Sequence, residues 1–331
     1  MAPLDIRPRC LVDTHTHQLV EFNENNPTPP YAILSHMWMK NQHGHGEEVT
    51  LPELKRLHRG SDSDETRSKS GYHKILSACN QAFRDGLDYI WIDTCCIDKR
   101  NHEDVALNIR SMYAYYQNTE ICYAYLADKC VGSAERWTPG DSMWFRRGWT
   151  LQELLAPRQV IFFDQTWKRI GSKSALKDVL YQSTAIPQAI LEGKRFIRNV
   201  DPLERMSWAL GRETSKPQDQ AYCLLGLLGV SMDPNYDEDV ETSFERVWTA
   251  FVDAHPEHRG ALGSVKDFYS FLHGKHWRSR YEALYFMKRR RKGMQRSESS
   301  PGGGELETSS ETGLPSSWLN WDGADGGDGG E

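Results

Sequence analysis

The sequence predicts an α/β fold in which a parallel sheet carries helices on both of its faces. The first observation is that short apolar runs alternate along the chain with segments of helical periodicity, an order that is typical of parallel sheets. The second is that these runs are continuous rather than alternating, as in strands that are buried on both faces. A helical C-terminal region and a disordered tail are expected to follow the sheet.

Four apolar runs are predicted to be the strands of this sheet. They lie at residues 31–36, 87–93, 121–126 and 159–163. The helices predicted around them lie at residues 51–57, 72–84, 103–117 and 149–155. In the second of these helices, Ile75, Cys79 and Ala82 fall on one face, and Gly86 follows as the stop signal.

After residue 170 the pattern becomes helical. Further helices are predicted at residues 201–212, 218–228, 239–254 and about 264–290. A chain of 331 residues suits one large domain or two. The predicted organisation is a lead-in (1–30), a domain (31–235, with an α/β core to about 165 and a helical extension from 166), a helical region (236–292) and a tail (293–331). The tail is rich in Gly, Ser and acidic residues, and we expect it to be disordered because it cannot bury enough apolar surface.

Composition excludes several classes of protein. The formal net charge of −6 argues against a general nucleic-acid binder, which is usually basic. We expect no membrane span and no signal peptide, because no long apolar stretch is present and residues 1–9 lack an apolar core. The seven irregularly spaced cysteines are typical of a reducing, cytoplasmic compartment. The basic run Lys288–Lys292 could be a nuclear import signal, a contact with anionic lipid or a solvated helix end.

Polar residues follow three of the predicted strands, at the edge of the sheet where ligands bind in parallel α/β folds. The candidate site residues are Ser35, His36, Trp38, Asp93, Asp98, Arg147, Trp149 and Glu153. Each also has a purely structural interpretation. Ser35 and His36 could cap the strand end, Asp98 could cap a helix, and the tryptophans could be core residues. The sequence alone leaves these alternatives open.

Other kinds of chemistry lack a signature. Cys95 and Cys96 are adjacent, so they cannot easily chelate one metal, and no CxxC or HxxxH pair accompanies them. The chain has no GxxxxGK[ST] phosphate loop, no GxGxxG after the first strand and no GxSxG nucleophile elbow. We therefore expect no metal and no resident cofactor.

Three blocks of sequence resemble the signature of the fungal heterokaryon incompatibility (HET) domain. They read PYAILSHMW (30–38), WIDTCCIDK (91–99) and RGWTLQELLAP (147–157). RMSWA (205–209) and DQAYCLLG (219–226) resemble the segment that usually follows, so the likeness covers about residues 5–235. The resemblance implies a fungal source and a role in nonself recognition that ends in growth arrest or cell death. The implied partners are further copies of the chain or other incompatibility proteins.

The same resemblance implies a flavodoxin/TIR-like fold, because HET domains are thought to be distant relatives of TIR domains. Trp149 to Leu154 is similar to the TIR helix that carries the catalytic glutamate of NAD-cleaving TIR enzymes. Carried over by that motif, the catalytic residue is Glu153, with NAD or NADP as substrate and the other candidate residues as substrate contacts. Glu153 lies early in its helix, so we expect it to be ionised.

Two departures from the family pattern support another interpretation, a non-catalytic signalling or self-association module, or a degenerate copy of the domain. Met39 stands where the family usually has Gly, which could allow a ligand to approach the backbone closely. Asp237-Glu238-Asp239 replaces the usual Gly-Glu-Gly.

Overall fold

A computed structural model describes residues 6–39, 46–60, 64–132 and 142–258. Within these ranges, seven strands form one mixed sheet. They are β1 (Cys10–Asp13), β2 (Leu19–Glu21), β3 (Ala32–His36), β4 (Tyr89–Trp91), β5 (Ile121–Leu126), β6 (Val160–Asp164) and β7 (Arg169–Ser172). Their spatial order is β2-β1-β4-β3-β5-β6-β7.

The four central strands are parallel, as the sequence predicts. β3 lies between β4 and β5, and its Ala32 stands opposite Ile90 on one side and Ile121 on the other. β6 then pairs in parallel with β5. In chain order these strands run second, first, third, fourth, which is the beginning of the flavodoxin-like order of doubly wound sheets. All five residues of β3 are buried, in keeping with its continuous apolar run.

Both edges of the sheet differ from the prediction, because they are antiparallel. β1 pairs antiparallel with β2 and with β4, where Val12 faces Ile90. On the other edge, β7 pairs antiparallel with β6. The two strands before residue 30 and the one at Arg169–Ser172 were not predicted. They have three or four residues each and are partly exposed, so they lack the apolar runs that mark buried strands.

Twelve α-helices surround the sheet in the described residues. They are α1 (Leu51–His58), α2 (Asp64–Ser68), α3 (Ser70–Arg84), α4 (Asp93–Cys96), α5 (His102–Gln117), α6 (Thr150–Leu155), α7 (Lys177–Thr184), α8 (Gln188–Leu191), α9 (Pro202–Ser207), α10 (Asp219–Tyr222), α11 (Leu225–Leu228) and α12 (Val240–Ala254). Short 3-10 helices lie at Met143–Arg146, Ile197–Asn199 and Pro256–His258. α3, α5, α6 and α12 confirm predicted helices. Gly86 follows α3 with a φ of 80°, a conformation that glycine adopts without strain.

Two predicted helices are wrong in length. The helix expected at 201–212 ends at Ser207, and the helix expected at 218–228 is split into α10 and α11. Close packing accompanies the split. α11 lies against α5 so tightly that a Cβ on Gly226 would come within 2.2 Å of the Tyr113 ring. Tertiary packing therefore overrides the continuous apolar pattern of this segment.

The apolar residues form two clusters. The larger one surrounds the sheet, and the smaller one lies among α9 to α12 around Tyr222, Phe244 and Phe251. Trp149 packs against both clusters. No helix in the described ranges is long and apolar enough to cross a bilayer. The predicted helix at 264–290, the run Lys288–Lys292 and the predicted tail lie outside the described residues.

Candidate active site

A hydrogen bond between Ser35 and Glu153 forms the centre of the candidate site. Ser35 is the penultimate residue of β3 and is fully buried. Its hydroxyl donates to Oε2 of Glu153 over 2.5 Å. Glu153 lies on α6, and only 7% of it is exposed. The strand end and the short helix that the sequence predicts at one edge of the sheet are thus brought into direct contact.

Two aromatic residues that the site prediction omitted complete the surroundings of Glu153. The indole N–H of Trp144 donates to Ser35 Oγ over 2.9 Å. The hydroxyl of Tyr116 lies 3.3 Å from the carbonyl of Leu34 and also hydrogen-bonds the Glu153 carboxyl. Tyr116 lies within the helix predicted at 103–117, but periodicity says nothing about what its hydroxyl meets. Trp144 lies in the 3-10 helix Met143–Arg146, which is too short for a periodic signal to identify it.

The charge of Glu153 contradicts the expectation that it is ionised. Burial raises the pKa of Glu153 to about 8, although hydrogen bonds from Ser35 and Tyr116 and the positive charge of Arg147 act to lower it. The negative charge of Asp93 acts in the same direction as burial. The helix dipole of six-residue α6 is too weak to compensate for this loss of water. Glu153 is therefore mostly protonated at neutral pH.

A more open group of side chains surrounds Asp93, the first residue of α4. The indole N–H of Trp38 donates to Asp93 Oδ2 over 2.9 Å. Lys99 places its ammonium 3.9 Å from the same oxygen and 4.8 Å from the centre of the Trp38 ring. Burial alone would raise the pKa of Asp93, yet Lys99, His36 and the Trp38 hydrogen bond lower it. Trp38 is 49% exposed, so it presents a fixed aromatic surface with a cation beside it.

His36 lies beneath this group, on the opposite face of β3 from Ser35 because successive side chains alternate along a strand. Its Nε2 is 3.6 Å from Asp93 Oδ1 and 3.8 Å from Glu48 Oε2. Both of its ring nitrogens lack a hydrogen-bond partner among the described residues. Burial, and then the charge of Lys74, lower the pKa of His36 to about 4, so the imidazole is neutral. Glu48 forms a buried ion pair with Lys74 at 2.5 Å.

Arg147 and Trp149 connect the site to the helical region. The guanidinium of Arg147 donates to Ser215 Oγ over 3.1 Å. The side chain of Trp149 hydrogen-bonds that of Asp219 on α10. Between them, Gly148 lies so close to the following segment that a Cβ there would come within 2.6 Å of the Thr214 side chain. These two candidates therefore position the start of α6 against its neighbours, and Arg147 also acts on Glu153 through its charge.

Asp98 lies apart from the other candidates. Its carboxylate accepts from the Arg100 guanidinium over 3.2 and 3.3 Å. Its backbone N–H donates to Asp104 Oδ2 over 2.8 Å. None of its hydrogen bonds in the described part of the chain reaches Glu153 or Asp93. These contacts make Asp98 a turn residue before α5; the interpretation of Asp98 as a helix cap is wrong, because the N-cap of α5 is Asn101.

The described ranges contain no group of three or more His, Cys, Asp or Glu side chains that could hold a metal ion. None of the seven cysteines, all of which lie in the described ranges, forms a disulfide bond. The acid–base groups described above are Glu153, His36, Asp93, Glu48 and Lys74. The aromatic residues Trp38, Trp144 and Tyr116 lie around them.

Comparison with known proteins identifies a family and a curated relative. Residues 31–138 match the family model described as heterokaryon incompatibility protein (HET). This range includes β3 and β4 and ends before α6. The vegetative incompatibility protein HET-E-1 of Podospora anserina is 37% identical over 226 residues, which is 66% of this chain and 16% of that protein. The chain thus spans about a sixth of the length of this relative. No solved structure matches the chain.

Proposed function

Because this chain carries a heterokaryon incompatibility (HET) domain, we propose that it acts in fungal nonself recognition and triggers cell death by cleaving NAD or NADP. The buried hydrogen bond between Ser35 and Glu153 is the observation that carries the enzymatic part. It holds a carboxyl group at the carboxyl ends of parallel strands, where α/β folds bind their ligands. The carboxyl has a perturbed pKa, as active-site acids commonly have.

The proposed chemistry breaks the bond between ribose C1′ and nicotinamide. The electron pair of this bond leaves with nicotinamide, which departs as a neutral molecule and needs no general acid. The ribose carbon develops the positive charge of an oxocarbenium ion, as in glycoside hydrolysis, and the Glu153 carboxylate stabilises it. A water molecule then adds at C1′ and releases a proton. The product is ADP-ribose from NAD, or its 2′-phosphate from NADP.

The group around Asp93 supplies the proposed substrate contacts. Trp38 is held by Asp93 and is half-exposed, so its ring can stack on a planar base. Lys99 places a positive charge beside that ring, where a diphosphate would be attracted. Both residues belong to segments that follow parallel strands, and Asp93 also influences the Glu153 carboxyl through its charge.

Glu153 must become exposed and ionised for this reaction. In the described state Glu153 is 7% exposed, and Trp144 is linked to it by hydrogen bonds through Ser35. We propose that water and substrate gain access to Glu153 when copies of the chain assemble or when another incompatibility protein binds. The resting protein is then a closed form of the enzyme, and its activity depends on local concentration.

The test is nicotinamide release from NAD and NADP by the full chain, in solution and concentrated on lipid vesicles through an affinity tag. Wild type is compared with Glu153→Gln, and with Glu103→Gln as a matched control, because Glu103 is an exposed carboxylate in the first turn of α5. We expect release from wild type and from the control and none from Glu153→Gln. Equal release from Glu153→Gln would show that Glu153 takes no part in the reaction.

A second candidate is a non-catalytic module that signals by self-association. The burial of Glu153 favours it, and so does Met39, whose backbone N–H is already used by Glu48 Oε1 at 2.6 Å and is not available to a phosphate. Expression in fungal cells separates the two candidates. Equal toxicity of wild type and Glu153→Gln, with cellular NAD unchanged, supports the module. Toxicity and NAD loss that both disappear in Glu153→Gln support the enzyme.

A further inference from the structure

Trp144 contacts the Glu153 helix in two ways. Its indole reaches Glu153 through Ser35, with distances of 2.9 Å and 2.5 Å for the two hydrogen bonds. Its backbone carbonyl accepts a hydrogen bond of 2.5 Å from the hydroxyl of Thr150, the first residue of α6. One residue of the 3-10 helix is thus joined both to the functional side chain of α6 and to the start of that helix.

The direction of these hydrogen bonds follows from the chemistry of the groups. An indole N–H can only donate, whereas a serine hydroxyl has one proton to donate and can also accept. Trp144 therefore uses an acceptor site of Ser35 Oγ, and Glu153 receives the single Ser35 proton. A hydrogen bond donated to a carboxyl oxygen stabilises the ionised form of the group more than the protonated form. The arrangement favours a carboxylate at Glu153, against the effect of burial.

Trp144 is itself held rigidly. Only 1% of it is exposed, and its ring packs edge-to-face against Phe145 and Phe162 with centroid distances of 4.8 and 5.7 Å. The N–H therefore points at Ser35 before any ligand arrives, so the orientation costs no further ordering.

We propose that Trp144 is a positioning residue for Glu153: its indole N–H sets the Ser35 hydroxyl as a donor and thereby promotes the carboxylate that the reaction needs. The role of Trp144 in catalysis rests on the proposed function. The effect on the charge of Glu153 does not, because it can be measured without substrate. Trp144 itself touches neither the substrate nor the reacting atoms.

The test is infrared spectroscopy of the purified full chain between pH 5 and 10. The C=O band of protonated Glu153 is identified as the band that disappears in Glu153→Gln. Trp144→Phe keeps an aromatic ring but loses the N–H, and we expect it to raise the midpoint of this band by about one pH unit, a tenfold change in the protonation equilibrium. Trp208→Phe is the matched control, because Trp208 is fully buried and, in the part of the chain that the structure describes, its indole N–H has no hydrogen-bond partner.

A double-variant comparison shows whether the effect passes through Ser35. Ser35→Ala is expected to raise the midpoint, and adding Trp144→Phe to Ser35→Ala is expected to produce no further change. An unchanged or lowered midpoint in Trp144→Phe, relative to Trp208→Phe, would overturn the proposal. So would a full additional shift in the double variant.

Two further measurements distinguish a variant that fails to fold, and a failure of the proposed enzyme, from a failure of the proposal about Trp144. If Trp144→Phe does not fold, the indole NMR signals of the folded wild type decide, since one of them should titrate with the Glu153 midpoint and cease to do so in Ser35→Ala. If no indole signal titrates, the proposal fails. If nicotinamide release is measurable, its pH profile should move with the infrared midpoint. A midpoint shift without any nicotinamide release would leave the role of Trp144 intact and count against the enzyme.

Discussion

The Ser35 hydroxyl donates a hydrogen bond of 2.5 Å to the Glu153 carboxyl, across a separation of 118 residues in the chain. One partner belongs to the central strand of the sheet and the other to a six-residue helix near its carboxyl edge. This bond joins two of the three sequence blocks that resemble the HET signature. It also holds in place the carboxyl that we propose as the catalytic group.

The stability of the protein should depend on pH through Glu153. Its pKa in the folded protein, about 8, is above the ordinary value of 4.5. The folded state therefore holds a proton that the unfolded chain releases between these two values. The contribution of Glu153 to stability is fully present below about pH 4.5, decreases as pH rises towards 8 and is constant above that.

Urea unfolding of wild type and Glu153→Gln at pH 5 to 9 checks this dependence. The difference between their free energies of unfolding should change with a slope of up to about 1.4 kcal/mol per pH unit below pH 8. Glu103→Gln should give no such slope, since Glu103 is exposed. A pH-independent difference for Glu153→Gln would show that the carboxyl is ionised throughout this range.

The buried ion pair between Lys74 and Glu48 should be costly to break from one side. Lys74 is 2% exposed and Glu48 is 8% exposed, so removal of one charge leaves the other buried without its partner. We expect Lys74→Met to lower the free energy of unfolding by about 3–5 kcal/mol. The double variant Lys74→Met with Glu48→Gln should recover much of this loss. Denaturant unfolding of the four proteins measures the coupling, and additive effects of the two changes would contradict it.

Gly226 should not tolerate a side chain. A Cβ there would come within 2.2 Å of the Tyr113 ring, and Tyr113 lies on α5. Gly226→Ala must displace α11 from α5, and we expect it to lower the free energy of unfolding by about 1–3 kcal/mol or more. Gly46→Ala is the matched control, since a Cβ at Gly46 meets nothing within 4 Å. Similar melting temperatures for the two variants would show that α5 and α11 are packed less closely.

Trp38 should affect ligand binding more than folding. It is 49% exposed, so its removal costs little core packing. If its ring stacks on a base of NAD, Trp38→Ala should weaken binding by about 1–3 kcal/mol, whereas Trp38→Phe should keep most of the affinity. Calorimetric titration with NAD measures this, with Glu153→Gln used to prevent turnover. Unchanged affinity in Trp38→Ala would place the base elsewhere.

Much of the scaffold follows from local pattern. The continuous apolar run of β3, the periodicity of α3 and the polar residues at the strand ends were enough to predict a parallel α/β core. They also predicted that Ser35 and Glu153 belong near one edge of the sheet. The outer strands β1, β2 and β7 were missed, because short and partly exposed strands leave little apolar pattern in a sequence.

The sequence by itself determined the four central strands and the helices α3, α5, α6 and α12, because hydrophobic periodicity is a local property. Only the tertiary structure decided the charge of Glu153, the part played by Trp144 and the separation of Asp98 from the other candidates. These depend on how much water each group loses and on which distant residues it meets. A carboxyl four residues into a short helix looks like an ionised surface group in the sequence. The packing of β3, Trp144 and Tyr116 around it makes it a buried acid.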